Sequence, residues 1–199
     1  MDVHQAVVSR RSIRVFKDTP VPYDFLEKCV DAARLAPSTK NLQVCKYIVV
    51  DDEKVLPQVL DTIGSWSGVP RPEGGWSLEH PPKAYIIILI NSQLETELGG
   101  NRRWTNYDVG IAAENIMLTA QEEGLGSCAV ASFQQAKLKQ VLNIPDKYEI
   151  TMGVMLGFPD ERPVMEETTG SIERWTDDQG VLHIPKRKLE DITRRNRFQ

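Results

Sequence analysis

Ala84-Tyr85-Ile86-Ile87-Ile88-Leu89-Ile90 constrains this chain more than any other stretch, because it is apolar without a break. It is far too short to cross a bilayer, which takes about 20 residues as a helix. The rest of the chain must therefore keep water from it, and a run of this kind reads as a buried strand. Helical and strand patterns alternate around it. Tyr23–Leu35 repeats Phe25, Leu26, Cys29, Val30 and Ala33 at helical spacing, and Pro37 ends it. Lys46–Val50 is β-branched and aromatic, a strand. Trp104–Glu123 is the longest helix, with Val109, Ala112, Ala113, Ile116, Met117 and Ala120 on one face. Gly110 is placed on that face too, where it permits close packing, and Gly124 is the helix stop. The alternation gives an α+β layered domain.

The remaining segments fill in the order. Asp2 caps a helix through Ser9 whose apolar stripe is Val3, Ala6 and Val7. Glu53–Ile63 reads as a helix, Ser127–Phe133 as a strand, Gln134–Leu142 as a helix and Glu149–Leu156 as a strand. Asn91–Arg103 is polar without a clear period. Gly64–Pro82 holds four glycines, Trp66 and Trp76; a lid over an aromatic ligand and a surface loop pinned by aromatic packing fit it equally. Asp160–Pro185 is irregular, apart from a hairpin turn at Asp177–Gly180 between Ile172–Thr176 and Val181–Ile184. With no internal repeat and no linker, residues 1–199 read as a single domain.

Composition narrows the function classes. Among 199 residues, 41% are hydrophobic and 26% charged, enough to bury a sizeable core. The net charge of -4 argues against general nucleic-acid binding, despite a basic tail through Arg194, Arg195 and Arg197. Cys29, Cys45 and Cys128 form no Cys-x-x-Cys pair, and His4, His80 and His183 are scattered. No disulfide framework or metal site is expected. The start has no basic-then-apolar leader, and no run is long enough for a membrane span, so a cytoplasmic setting is expected.

The chemistry concentrates in two stretches. Ser9-Arg10-Arg11-Ser12-Ile13-Arg14 packs three arginines and two serines into six residues. Such a cluster suits a phosphate, whose oxygens match the guanidinium fork. A solvated basic turn at a helix end is the plainer alternative. Ala36-Pro37-Ser38-Thr39-Lys40-Asn41-Leu42-Gln43 lies between a helix and a strand and is dense in hydrogen-bonding groups. Together with Pro20-Val21-Pro22, Gly124-Leu125-Gly126-Ser127-Cys128 and Leu156-Gly157-Phe158-Pro159, these stretches resemble the flavin-dependent nitroreductase family, in the right order and over nearly the whole chain.

That resemblance implies a mostly antiparallel central sheet flanked by helices, in an intertwined homodimer with flavin mononucleotide (FMN) at the interface. It implies that residues 160–199 are a C-terminal extension reaching onto the partner. Arg10 and Arg11 would hold the FMN phosphate, with Ser12 beside them, and Arg14 would lie near the pyrimidine edge of the flavin, favouring its anionic reduced form. Pro37, Ser38, Thr39, Asn41 and Gln43 match the segment that contacts ring and ribityl chain. Ala131 and Ser132 match the backbone beside flavin N5. Lys186 and Arg187 match a late basic pair at the phosphate, with Lys188 also available for that register.

The activity implied is a ping-pong oxidoreductase, with NADH or NADPH as donor and a nitroaromatic or quinone-like small molecule as acceptor. No nucleic acid or membrane partner is expected. No side chain is assigned as catalytic, since the flavin carries the chemistry. Val44-Cys45 stands where the family often has Pro-Trp, and Cys128-Ala129-Val130-Ala131-Ser132 lacks the acidic or larger residues of some members. Both departures bear on the acceptor pocket. A flavin-dependent dehydrogenase or dehalogenase on the same fold, and a non-catalytic flavin-binding sensor, are the competing readings.

Overall fold

In the computed structural model, which describes residues 1–66, 69–70 and 79–198, the apolar run becomes a strand at the centre of a four-stranded sheet. The chain divides into two compact units, Met1–Asp160 and Glu161–Gln199. In the first, the order is α1 (Val3–Ser9), α2 (Tyr23–Arg34), β1 (Cys45–Val50), α3 (Leu56–Leu60), β2 (Ser65–Trp66), β3 (Val69–Pro70), β4 (Ala84–Asn91), α4 (Ser92–Glu97), α5 (Arg102–Glu122), β5 (Gly126–Val130), α6 (Gln135–Val141) and β6 (Tyr148–Gly157). The main sheet runs β1-β4-β6-β5, every pair antiparallel, as the resemblance implies. Among the described residues, no helix is long and apolar enough to cross a membrane.

Strand alternation explains why β4 runs from Ala84 to Ile90 with no polar side chain but the Tyr85 hydroxyl. Ala84, Ile86, Ile88 and Ile90 face one core with Leu26, Cys29 and Ala33 of α2 and Val109, Ala112, Ala113, Ile116 and Ala120 of α5. Tyr85, Ile87 and Leu89 face the other, with Val59 and Leu60 of α3, Leu138 of α6, and Ile13 and Phe16. A bulge between Ile88 and Leu89 leaves Thr151 of β6 unpaired, and its hydroxyl donates to the Ile88 carbonyl.

Several sequence expectations need correction. The Glu53–Ile63 helix contracts to five residues because Pro57 tolerates only a first-turn position. Ser127–Phe133 is strand only to Val130, and Phe133 makes an isolated bridge with Ile63. Asn91 caps a short helix inside the stretch that carried no period. Gly110 is exposed, on the opposite side of α5 from the core stripe. In α1 only Ala6 is buried, while Val3, Val7 and Val8 are exposed. Most of 64–82, where a lid and a pinned loop were both in play, lies outside the described residues.

The second unit is a three-stranded sheet, β7 (Val164–Thr168), β9 (Leu182–Arg187) and β8 (Trp175–Thr176), followed by α7 (Leu189–Ile192). The turn at Asp177–Gly180 joins β8 to antiparallel β9 as expected, with Gly180 at φ +79. The parallel pairing of β7 with β9 was not expected. His183 of β9 holds this sheet together. It stacks on Trp175 with centroids 3.9 Å apart, bonds Glu166 through Nδ1 and lies 3.3 Å from Asp177 Oδ2 through Nε2. Burial pushes the imidazole down from its ordinary 6.5, and the Glu166 and Asp177 carboxylates push it further up, for a net rise. The lock therefore contributes fully below about pH 6.5 and fades as pH climbs through the raised value. We expect the hydrogen-exchange protection factors of the 164–187 amides, with the intrinsic base catalysis divided out, to fall across that alkaline limb, and that fall to vanish in His183→Gln.

Candidate functional site

Residues 10–16 form a strap across one edge of the main sheet. Ser12 bridges Ser127 in parallel, the Ile13 N–H donates to the Ser127 carbonyl at 2.9 Å, and Asp160 N donates to Val15 O at 2.9 Å. Two glycines that face each other across β5 and β6, Gly126 and Gly157, let the strap lie flat. A Cβ on Gly126 would meet Ile13 at 2.8 Å, and one on Gly157 would meet Phe16 at 2.7 Å. Ile13 is 7% exposed and Phe16 fully buried, so the apolar strap residues anchor the arginines between and before them.

The anchoring partly desolvates the guanidiniums. Arg11 is half-buried, its Nη1 donates to the Arg10 carbonyl at 2.6 Å, and its Nε is buried with no hydrogen-bond partner. Burial, then the charge of Arg10, lowers its pKa from the ordinary 12.5. Arg10 Nε is likewise buried without a hydrogen bond, 3.6 Å from Glu114 Oε1 of α5. Arg14 Nη1 donates to the Ser12 carbonyl at 3.2 Å. Two adjacent cations, each with a buried donor unspent, are an arrangement that an anion with several oxygens completes. A phosphate monoester fits these donors, whereas a freely solvated basic turn would leave them wet.

The second stretch folds as a strained loop. Lys40, Asn41 and Gln43 have φ of +51, +57 and +51, a left-handed conformation unusual for three non-glycine residues within four positions. Asp108, 5% exposed on α5, holds the loop: both its oxygens accept from the Thr39 N–H at 3.0 Å, and Oδ1 also accepts from the Thr39 hydroxyl. The Ser38 hydroxyl accepts from the Gln43 N–H at 3.2 Å. Pro37, Asn41 and Gln43 remain exposed, and the Gln43 amide nitrogen donates to the Asn41 carbonyl at 3.4 Å. Pro37, Ser38 and Gln43 share a cavity of about 320 Å³ with Cys45, Tyr47 and Asp108. Strain of this sort is kept where surrounding contacts over-determine the backbone.

Cys45 is half-buried, and burial, then the Asp108 charge, pushes its thiol up to about 11. Buried Cys29 rises to about 12.

Ala131 and Ser132 come just after the end of β5, the strand that carries the strap. Ala131 is exposed, while the Ser132 hydroxyl donates to the Ser65 carbonyl at 2.5 Å and its carbonyl accepts from Gly64 N at 2.7 Å. Arg10, Arg11, Ser12 and Arg14 thus share one sheet edge with Ala131 and Ser132. Pro37, Ser38, Thr39, Asn41 and Gln43 form a second group, and α5 touches both groups, through Glu114 and Asp108. Lys186 and Arg187 are exposed at the end of β9 in the C-terminal unit.

Sequence reasoning missed Asp108, although a signal was present. It falls four residues before Ala112 and eight before Ile116, so an acid stood on the apolar stripe and needed a partner. Gly126 and Gly157 were quoted within motifs, but their role in seating the strap depends on pairing across strands, which no local pattern carries.

Comparison with known proteins agrees with this construction. A provisionally named NADH dehydrogenase/NAD(P)H nitroreductase from Methanothermobacter thermautotrophicus is 29% identical over 167 residues, 82% of this chain and 80% of that protein. An NADPH-dependent oxidoreductase from Staphylococcus aureus (strain MRSA252) is 28% identical over 80% of this chain, which spans only 65% of that relative's length. The solved structure of an FMN-dependent nitroreductase from Clostridium difficile R20291 superposes with a TM-score of 0.68 at 27% identity, covering 98% of this chain and 99% of that one. The family model described as Nitroreductase family matches residues 7–158, a span that begins within α1, takes in the strap, the strained loop and the whole main sheet, and ends just past β6; with three quarters of its length so matched, the chain belongs to the nitroreductase family.

Proposed function

We propose that this chain is an FMN-dependent oxidoreductase that draws on NADH or NADPH and serves an electron-poor acceptor, nitroaromatic or quinone-like, in two half-reactions sharing one pocket. The observation that carries this reading is the Arg10–Arg11 pair, two partly desolvated cations with buried donors unspent. FMN, when bound, supplies the two-electron chemistry, taking hydride from the nicotinamide and passing it on. Arg10 and Arg11 neutralise its phosphate, and Ser12 adds a hydroxyl there. Arg14 brings positive charge to the site on the same strap, which favours a ring that gains electrons. Ser38, Asn41 and Gln43 offer side-chain hydrogen bonds, and Ala131 offers backbone beside a side chain small enough for close approach. Lys186 and Arg187 are proposed to complete the phosphate site.

The reading extends to a homodimer in the cytoplasm, with residues 160–199 reaching onto the partner. Supporting it, α5 leaves Trp104, Tyr107 and Ile111 between 42% and 53% exposed on one face, with Gly110 beside them. An apolar helix face of this kind is covered by a partner more often than by water. Light scattering should give twice the 22.5 kDa chain mass, and Ile111→Arg should give monomer with much weakened FMN binding.

The primary test is an absorbance spectrum of the purified protein before and after anaerobic NADH or NADPH. A flavin spectrum that bleaches is expected; protein that takes up no flavin even when it is added overturns the proposal. With donor and acceptor both varied, parallel double-reciprocal lines are expected, and intersecting lines would remove the two-half-reaction scheme.

A further inference from the structure

Where β5 ends at Val130 the chain turns away from the sheet, and residues 132–137 close a seam against residues 61–65. The Lys137 ammonium pairs with the Asp61 carboxylate, the Gln134 N–H donates to the Thr62 carbonyl at 2.7 Å, and Phe133 bridges Ile63. Ile63 is fully buried and Phe133 nearly so, so apolar packing holds the middle of the seam whatever the hydrogen bonds do. The end nearest β5 has no such packing, since Gly64 has no side chain and Ala131 is exposed. There the Ser132 carbonyl accepts from the Gly64 N–H at 2.7 Å, and the Ser132 hydroxyl donates to the Ser65 carbonyl at 2.5 Å. Hydrogen bonds to one residue close the seam at this end.

That end lies in line with the arginines. Ser12 bridges Ser127 in parallel, so the strap and β5 run in the same direction there. Arg10 and Arg11 stand before the bridge and Arg14 beyond it. Ala131 comes four residues past Ser127, about 13 Å along the chain at 3.3–3.4 Å per residue. The donors that suit a phosphate and the backbone of Ala131 therefore fall at opposite ends of one stretch, in the order that phosphate, ribityl arm and ring follow in FMN. The Ala131 N–H donates to no group among the described residues.

We infer that Ser132 is a positioning residue for the proposed reaction: by closing the seam at its exposed end it holds the Ala131 backbone, with its N–H, in place against the ring of bound flavin, without touching the cofactor itself. The inference rests on the flavin reading above and gives Ser132 a different part in it. The one proton of its hydroxyl is spent within the chain, so its effect on the cofactor passes through its neighbour. Misplacing a reacting group by about 1 Å can cost about 100-fold in rate, so a bond with little weight in stability can weigh heavily in turnover.

The test compares Ser132→Ala, which removes the hydroxyl, with Ser132→Thr, which keeps it, in the full chain. In flavin-free protein, the exchange protection factor of the Gly64 amide should fall about fivefold in Ser132→Ala, the worth of one hydrogen bond, and recover in Ser132→Thr. With FMN saturating, the rate constant for anaerobic bleaching by excess NADH or NADPH should fall roughly tenfold in Ser132→Ala and recover in Ser132→Thr. FMN affinity, read by fluorescence titration, should stay within about twofold, because the donors to the phosphate are untouched. Lost protection with an unchanged bleaching rate would overturn the inference and leave a purely structural seam. Affinity that falls along with the rate would make Ser132 a cofactor contact and overturn it too, as would unchanged protection in Ser132→Ala. An unaltered chain that takes up no flavin would bring down the flavin reading and the inference with it, a result distinct from each of these.

Discussion

Replacing Arg11 with Met weakens FMN binding by about 10- to 150-fold, the worth of a hydrogen bond to a charged group at 1.4 kcal/mol per decade. The same change leaves the cofactor-free protein no less stable. Without an anion, Arg11 carries a partly desolvated charge beside Arg10, and both burial and that neighbour already depress its pKa. Methionine keeps most of the apolar stem and removes the repulsion. Equilibrium dialysis or flavin-fluorescence titration reads the affinity, and a melt of flavin-free protein reads the stability. The combination of weaker binding with an undiminished melt separates a cofactor residue from a structural one. An Arg11 needed mainly for folding would lower both.

Gly126→Ala is expected to have the second largest effect. The new methyl carbon would lie 2.8 Å from Cβ, Cγ1 and Cγ2 of Ile13, and Cβ cannot swing away as the end of a flexible side chain can. Either the strap lifts or β5 bends. Overpacking of this kind costs about 1–3 kcal/mol, roughly 2–12 °C in Tm for a chain of this size. Because Ile13 N–H holds Ser127 O next door, a lifted strap carries the arginines with it, so FMN affinity falls although no cofactor contact was changed. Combining the change with Ile13→Ala should cost less than the sum of the two, since both act at one contact. Thermal melts and flavin titration of the three variants check this.

What the chain disclosed in advance, and what it withheld, follows from the range of the interactions. β4, α2 and the core stripe of α5 were legible because each is a local period in side-chain type. The arginine strap was legible as chemistry because three guanidiniums in six residues are dense enough to stand out. Its seat was not, since Gly126 and Gly157 meet only when β5 pairs with β6, some thirty residues apart. The β7–β9 parallel pairing was hidden for the same reason: Val164 meets His183 across an intervening turn and strand. Gly110 was misplaced because small residues fit both faces of α5, and only the packed helix reveals which one faces the core. Asp108 could have been found by asking what an acid was doing on that stripe.

Cys45 shares its cavity with Ser38 and Gln43, two of the residues proposed above to serve the cofactor, so under that proposal it would lie close to quinone-like electrophiles. Only a thiolate adds to such molecules, and a thiol titrating at about 11 is about one part in ten thousand thiolate at neutral pH, against a few per cent for an exposed cysteine. The Asp108 carboxylate that ties down Thr39 contributes to this by disfavouring a second negative charge beside it. One buried acid therefore has two effects: it holds the loop at Thr39, and it adds to burial in making the nearest sulfur a poor target for alkylation.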